Sequence, residues 1–372
     1  MRIGWMYITP EENPTGINRL IKGTCSQILE QDQNNDYYSI DNNYLKLPVK
    51  EPFGLDLKFN HTRRPLGEFQ LSYEMSQLFD MRDYCSGGMN IIHSYFRPFI
   101  TLRNRCPKIL TVYDLIPSIH PEWAAGKEFY DTLLRASAEQ ADQVIAISEY
   151  TKSDLINYYN IKENKIQVIY PGLDSRLDFK NTDKSLLASY PCDDGYILSI
   201  CSLAPHKNMP GIIKGFTIFK QMNPKSKIKL FLVGQPIPGN ELDEYIIASG
   251  SVKEDIIITG YVDDRTLSAL YKYAIGIIYL SFYEGFGLPV LEAMAAGKPV
   301  ISSNTTSMPE VGGDAVMYCN PYKNEEIAET IELMVQNEQK RLDCEKKGLE
   351  RAKMFSYKKA AQETLELYRK FT

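Results

Sequence analysis

Tryptophan is scarce in this sequence, 2 residues of 372, and histidine is nearly as rare, with 4. The histidines (His61, His93, His120, His206) form no local cluster with cysteines, so nothing in the sequence supports a dedicated metal centre. The 7 cysteines are odd in number and never spaced C-x-x-C, which argues against a zinc ribbon or a disulfide framework. Reduced thiols in a cytosolic compartment fit better. A surplus of positive charge is missing too: 42 Lys+Arg stand against 47 Asp+Glu, a net charge of -5. A protein held mainly by nucleic-acid phosphates would be basic, so nucleic acid is not an expected partner. Long apolar runs are absent. The longest, Tyr273 to Tyr283, is broken by Gly276 and Ser281 and is too short to span a bilayer. At the start, Met1 to Ile8 meets Thr9-Pro10 before a secretory apolar segment could form. The expectation is a soluble cytoplasmic protein.

What is present is an ordinary globular composition, 44% hydrophobic and 24% charged, in a chain long enough for two domains. Short apolar runs alternate with amphipathic stretches, the pattern of βα units around parallel sheets. Arg2–Ile8 reads as a buried strand, followed by a loop ending in Thr15-Gly16. Ile17–Gln31 then sets Ile17, Leu20, Ile21, Cys25, Ile28 and Leu29 on one helical face. Further strands are expected at Asn90–Ser94, Ile109–Tyr113, Gln143–Ile147 and Ile166–Ile169. Helices are expected at Lys127–Gln140 and from Glu149, with Ser148 as N-cap. The polar, proline-punctuated stretch Asn42 to Arg82 reads as mostly irregular. The rhythm breaks near Tyr170-Pro171-Gly172 and restarts with strand Tyr196–Cys201. Two Rossmann-like domains follow, over residues 1–177 and 195–356, with 178–194 as linker.

The densest chemical signal runs from Ser281 to Gly297 and includes Glu284-Gly285-Phe286-Gly287-Leu288-Pro289 and Glu292. A buried strand ends at Leu280, the glycines make a tight turn, and Pro289 suits the first turn of a helix. Such a helix start presents free backbone N–H groups and partial positive charge, a natural seat for a diphosphate. Glu284 before the helix and Glu292 within it can each bind hydroxyl pairs, as on sugars. A plain βα turn with two solvated glutamates is the alternative for this segment taken alone. Val290 occupies the third glycine position of a dinucleotide fingerprint, which disfavours a Rossmann oxidoreductase.

Glu284 to Glu292 resembles the E-x7-E segment of glycosyltransferase family 4, whose members have the GT-B fold. The resemblance takes in Gly260-Tyr261-Val262-Asp263-Asp264, Met308-Pro309-Glu310-Val311-Gly312-Gly313-Asp314 and Pro205-His206-Lys207-Asn208. It extends to Tyr113-Asp114-Leu115-Ile116-Pro117, Ala146-Ile147-Ser148-Glu149 and Tyr170-Pro171-Gly172, in the family's order along nearly the whole chain. It implies an α/β architecture of two Rossmann-like domains facing each other across a cleft, with a C-terminal helix, residues 357–372, crossing back to the N-terminal acceptor domain. Ala360, Ala361, Thr364, Leu365 and Tyr368 stand at helical spacing there.

The resemblance also implies roles. Glu284 would bind donor-sugar hydroxyls and Glu292 the ribose. Backbone N–H groups of Gly16 and of the Gly285–Phe286–Gly287–Leu288 turn would hold the diphosphate beside Lys207, and Val262 would meet the base through its main chain. Two departures stand out. Cys201-Ser202 replace the frequent Gly-Arg pair, leaving His206 as a further source of charge, and Tyr113-Asp114 replace a frequent His-Asp pair. For Tyr113, a hydroxyl at the reacting sugar and a packed strand-end aromatic are equal readings. The sequence contains no D-x-D triplet of the kind that bridges Mg²⁺ or Mn²⁺ to a diphosphate, so no metal and no cofactor is expected.

The resulting expectation is a retaining, metal-independent hexosyl- or deoxyhexosyltransferase in cell-surface polysaccharide or O-antigen synthesis. Its partners would be a nucleotide-sugar donor and a glycan acceptor, lipid-linked acceptors included. Mannose from GDP-mannose leads, with rhamnose, fucose and glucose open. A nucleotide-sugar epimerase and a non-catalytic nucleotide-sugar binder are the competing classes. Lys346, Lys347, Arg351, Lys353, Lys358 and Lys359, with Arg63-Arg64 and the Arg97–Lys108 segment, leave peripheral contact with the inner face of the cytoplasmic membrane open. A solvated helix face is the alternative for the tail lysines.

Overall fold

A computed structural model describes residues 1–6, 16–41, 58–61, 88–95, 106–123, 128–173, 176–200, 204–234 and 242–371. The chain forms two compact units, Met1–Gly172 with Ser356–Thr372 and Leu173–Phe355. Elements are numbered over the described residues.

The first unit begins with β1 (Arg2–Met6), α1 (Gly16–Gln31), β2 (Asp36–Asp41) and β3 (Lys58–His61). It continues with β4 (Ile91–Tyr95), β5 (Lys108–Val112), α2 (Ile116–Ile119), α3 (Glu128–Gln140), β6 (Gln143–Ala146), α4 (Glu149–Tyr159) and β7 (Ile166–Val168). All its strands are parallel, in the order β3-β2-β1-β4-β5-β6-β7. β4 and β5 are buried at every position, as expected of strands covered on both faces. Leu20, Ile21, Cys25 and Ile28 of α1 are buried, which is the face set by the apolar spacing. Ser148 caps α4 as expected, its hydroxyl accepting from Thr151 N at 2.9 Å.

Of the Asn42–Arg82 stretch, expected to be mostly irregular, only Lys58–His61 are described, and these form a strand at the sheet edge; Asp36–Asp41, just ahead of the stretch, forms another. These polar strands are held by their parallel ladders, and Tyr37 packs against Trp5 with ring centroids 4.6 Å apart.

The second unit carries β8 (Tyr196–Ile200), α5 (Met209–Met222), β9 (Lys229–Val233), α6 (Leu242–Ala248), β10 (Ile256–Gly260) and α7 (Asp264–Tyr273). Then come β11 (Gly276–Tyr279), α8 (Leu288–Ala295), β12 (Val300–Ser303), α9 (Met308–Gly312), β13 (Met317–Cys319), α10 (Asn324–Gln336) and α11 (Glu338–Ala352). Its sheet is also parallel, ordered β10-β9-β8-β11-β12-β13, and Ile197, Phe216, Leu230, Ile278 and Ile301 sit in its core. The 178–194 stretch lies inside this unit. Leu187 is buried, and Tyr273 OH donates to Thr182 O at 3.3 Å, fastening the stretch to α7.

The chain ends in α12 (Tyr357–Arg369), which belongs to the first unit and packs on α1. Tyr357, Ala360, Ala361, Thr364, Leu365 and Tyr368 are buried along it. A buried polar network fixes it. Trp5 Nε1 donates to Tyr368 OH at 3.0 Å, while His93 contacts Tyr368 OH at 2.7 Å and Thr111 Oγ1 at 2.8 Å. Gly172 ends the Tyr-Pro-Gly motif for a steric reason: a Cβ there would collide with the Tyr357 backbone nitrogen. Among the described residues no helix is long and apolar enough to cross a membrane.

Candidate active site at the strand-order reversal of the second unit

In both sheets the chain first builds outward on one side and then returns to the other side of its starting strand. Ligands of such sheets collect at the carboxyl ends of the two strands flanking that reversal. In the second unit these are β8 and β11. The segment after β8 makes a 3₁₀ turn, Pro205–Lys207, and the segment after β11 carries Glu284. The two are tied together by Phe282 N donating to His206 O at 2.8 Å.

That tie brings Lys207 onto Glu284. The ammonium lies 2.5 Å from Glu284 Oε1 and donates to Tyr279 OH at 2.7 Å. Tyr279 OH donates onward to the same Oε1 at 2.7 Å, and Ser281 Oγ donates to it at 2.6 Å. Burial alone would push the Lys207 ammonium down, but the charges and hydrogen bonds of Glu284 and Tyr279 outweigh it and raise its pKa. Burial likewise acts to raise Glu284, yet Lys207, His206 and Ser281 hold its carboxyl below the usual range. The pair is therefore a fixed cation and a fixed anion at neutral pH.

Asn208 sets the approach of Lys207. Its backbone is left-handed, φ 53°, and its side chain accepts from Gly211 N at 3.2 Å while donating to Pro321 O at 2.7 Å. The opposite loop is pinned by Ser307, whose hydroxyl lies 2.9 Å from Glu284 O and 3.0 Å from Phe286 O. α8 then starts at Leu288 with Gly287 before it at φ 101°, Pro289 in its first turn and no side-chain cap. Its N-terminal dipole end is left for an anion. Within α8, Glu292 is buried and accepts from Tyr271 OH at 2.6 Å. Val262 follows β10 in the loop before α7, whose N-terminus Asp263 caps through Thr266 N at 2.7 Å.

Two family profiles match this chain. The one described as Glycosyl transferases group 1 covers residues 189–351, and the one described as Glycosyltransferase Family 4 covers residues 60–177. The chain belongs to the family 4 glycosyltransferases. Among curated relatives of this glycosyltransferase, the O-antigen chain mannosyltransferase B of Escherichia coli is 29% identical over 317 residues, 82% of this chain and 81% of the relative. A serotype-specific mannosyltransferase WbdA of Escherichia coli is 28% identical over 267 residues, 69% of this chain but only 33% of that longer protein. Among solved structures, Anabaena HepE in complex with UDP superposes with a TM-score of 0.75 at 17% identity, over 100% of each chain. The glycosyltransferase thus has the GT-B fold across its whole length.

The remaining expected residues divide. His206 stands beside Lys207 and acts on Glu284. Ser202 lies outside the described residues. Gly16 opens α1, with open space where a Cβ would sit. Tyr113 is 5% exposed in the first unit's core, where burial, with Cys25 and Tyr357 beside it, raises its phenol far above the ordinary value. Of the two readings for Tyr113, this placement favours packing. Asp114 turns its Oδ1 to Ile116 N at 3.1 Å, at the start of α2. Tyr279 and Ser307 carry no sequence signal of their own, and Ser281 and Asn208, though inside the Ser281–Gly297 and Pro205–Asn208 segments, are given no role by them. Tyr279 and Ser281 sit in what reads there as a strand end and a turn.

Proposed function

We propose that this glycosyltransferase moves mannose from GDP-mannose to a growing cell-surface glycan, with retention at the anomeric carbon and without a metal ion. One observation carries the reading: Lys207 and Glu284, 2.5 Å apart, stand at the carboxyl ends of β8 and β11 together with the uncapped start of α8. The site supplies fixed positive charge for a diphosphate and a carboxylate for sugar hydroxyls. The names of the curated relatives support mannose as the sugar and an O-antigen-type chain as the acceptor. The UDP bound in the solved neighbour supports a nucleoside diphosphate as leaving group.

In this reading the bond from C1 of the sugar to the diphosphate oxygen breaks, and the electron pair leaves with the nucleoside diphosphate. Lys207 and the α8 N–H groups stabilise the charge as it gathers there, an interaction stronger in the transition state than in the ground state. The acceptor hydroxyl attacks from the same face, and its proton passes to the departing phosphate oxygen. Glu284 accepts hydroxyls of the sugar ring, acting neither as nucleophile nor as acid, unlike the carboxylate pair of retaining glycosidases. Glu292, oriented by Tyr271, takes the ribose hydroxyls. The reaction is assigned to the cytoplasmic face of the membrane, where a lipid-linked acceptor would be met.

The test is a donor panel of GDP-mannose, GDP-fucose, UDP-glucose and dTDP-rhamnose, each with and without a mannan oligosaccharide acceptor. Acceptor-dependent GDP release from GDP-mannose, undiminished by EDTA, is expected, with the product anomer the same as the donor's by NMR. Free epimerised nucleotide sugar, an inverted linkage or EDTA-sensitive turnover would overturn the corresponding part of the proposal.

A further inference from the structure

Three donors, from Lys207, Tyr279 and Ser281, converge on Oε1 of Glu284. In the role proposed above, that oxygen is committed to the protein and Oε2 is the one that meets sugar hydroxyls. Of the three donors only Lys207 is charged. A diphosphate drawn to that ammonium brings negative charge toward Glu284 and competes for the same cation. Both effects favour protonating a carboxylate that is 12% exposed. A protonated Glu284 would no longer accept two hydroxyls.

We infer that Tyr279 is the positioning residue that prevents this: its hydroxyl, bonded to both Lys207 and Glu284, keeps Glu284 ionised and oriented while Lys207 engages the diphosphate. The inference rests on the role given to Glu284 above. Tyr279 is suited to the task because a phenol donates without adding charge that would compete for the phosphate. It is also rigidly placed. It ends β11, is 3% exposed, and has its carbonyl oxygen held by Ser302 Oγ at 3.0 Å. Ser281 donates to the carboxylate, whereas the Tyr279 hydroxyl bonds both Lys207 and Glu284 and so couples the phosphate end to the sugar end.

The experiment compares the full-length protein with Tyr279→Phe and with a protein carrying 3-fluorotyrosine at position 279, whose more acidic phenol is the stronger donor. Glutamate carboxyl carbons are labelled with ¹³C, and the Glu284 resonance is identified by its loss in Glu284→Gln. Its titration is followed alone and with saturating GDP. The midpoint should rise in Tyr279→Phe, more so with GDP, and fall in the fluorotyrosine protein. With GDP-mannose, kcat in Tyr279→Phe should drop between about tenfold and a hundredfold while KM changes much less. A role confined to packing predicts no movement of the midpoint in either protein, and that result would overturn the inference. If Tyr279→Phe does not fold, the fluorotyrosine protein decides by itself. If Glu284→Gln retains full turnover, the functional reading fails instead, whatever the Tyr279 titration shows.

Discussion

Replacing Lys207 by alanine should cost stability and turnover by separable amounts. The Lys207 and Glu284 side chains keep only 18% and 12% of their exposure, so the pair is largely withdrawn from water. Removing one partner of a buried pair strands the other, at about 3–5 kcal/mol. Tyr279 and Ser281 would still donate to Glu284, which places this loss at the lower end, about 3 kcal/mol. In a unit of this size each kcal/mol moves the melting temperature by about 2–4 °C, so the second unit should melt about 6–12 °C lower. Lys207→Ala/Glu284→Gln removes the stranded charge and should recover most of that. Activity follows a different rule. Loss of a preorganised group on the leaving phosphate should lower kcat about 10²–10³-fold with a far smaller change in donor affinity, and the double variant should not regain it. Differential scanning calorimetry and steady-state kinetics on the three proteins give both readouts. The reasoning is refuted if the double variant melts no higher than Lys207→Ala, or if Lys207→Ala turns over within about tenfold of the parent.

Further expectations concern the scaffold. Burial pushes the His93 imidazole from 6.5 down to about 3, so folding favours its neutral form. Its contribution is complete above the unfolded value and is lost as pH falls from 6.5 toward 3, with one proton taken up on unfolding; urea titrations should show that slope in the parent and not in His93→Gln. Gly287→Ala forces a Cβ against Met308 at φ 101° and should destabilise by about 1–3 kcal/mol; Met308→Ala added to it should restore only part, because the backbone conformation remains unfavourable. Asn208→Ala loses both the cap of α5 and tolerance of φ 53°, about 2 kcal/mol together, whereas Asn208→Gly keeps the backbone tolerance and should lose less. An inverted order of those two variants in thermal melts would count against the capping account.

Much of the architecture was legible in periodicity. The βα alternation, the α1 face, the Ser148 cap and the apolar spacing of α12 depend on local rules that a chain displays in order. β2 and β3, Asp-Tyr-Tyr-Ser-Ile-Asp and Lys-Phe-Asn-His, carry no alternating apolar pattern, and the parallel ladders that define them join strands distant in the sequence. At the site, Lys207 and Glu284 could be named from the family resemblance. Their direct pairing could not, because it joins residues 77 positions apart through a 3₁₀ turn and a loop. Tyr279 was hidden for a different reason. A tyrosine closing an apolar strand reads as core, and it is core, except for a hydroxyl that emerges where the strand stops. Glu292 shows the reverse. A plain βα-turn reading would leave it solvated, and the fold buries it against Tyr271.

The placement of α12 has a bearing on the order in which the protein can be assembled. The second unit is continuous in sequence, but the first is made of both ends of the chain. Until the last helix arrives, Trp5 and His93 lack the tyrosine hydroxyl to which both are bonded. During synthesis the first unit can therefore be completed only after α12, which follows the whole second unit in the sequence, has emerged. Removal of α12 would leave the residues of the second unit untouched and the first unit without the Tyr368 hydroxyl, so its effect falls on the first unit.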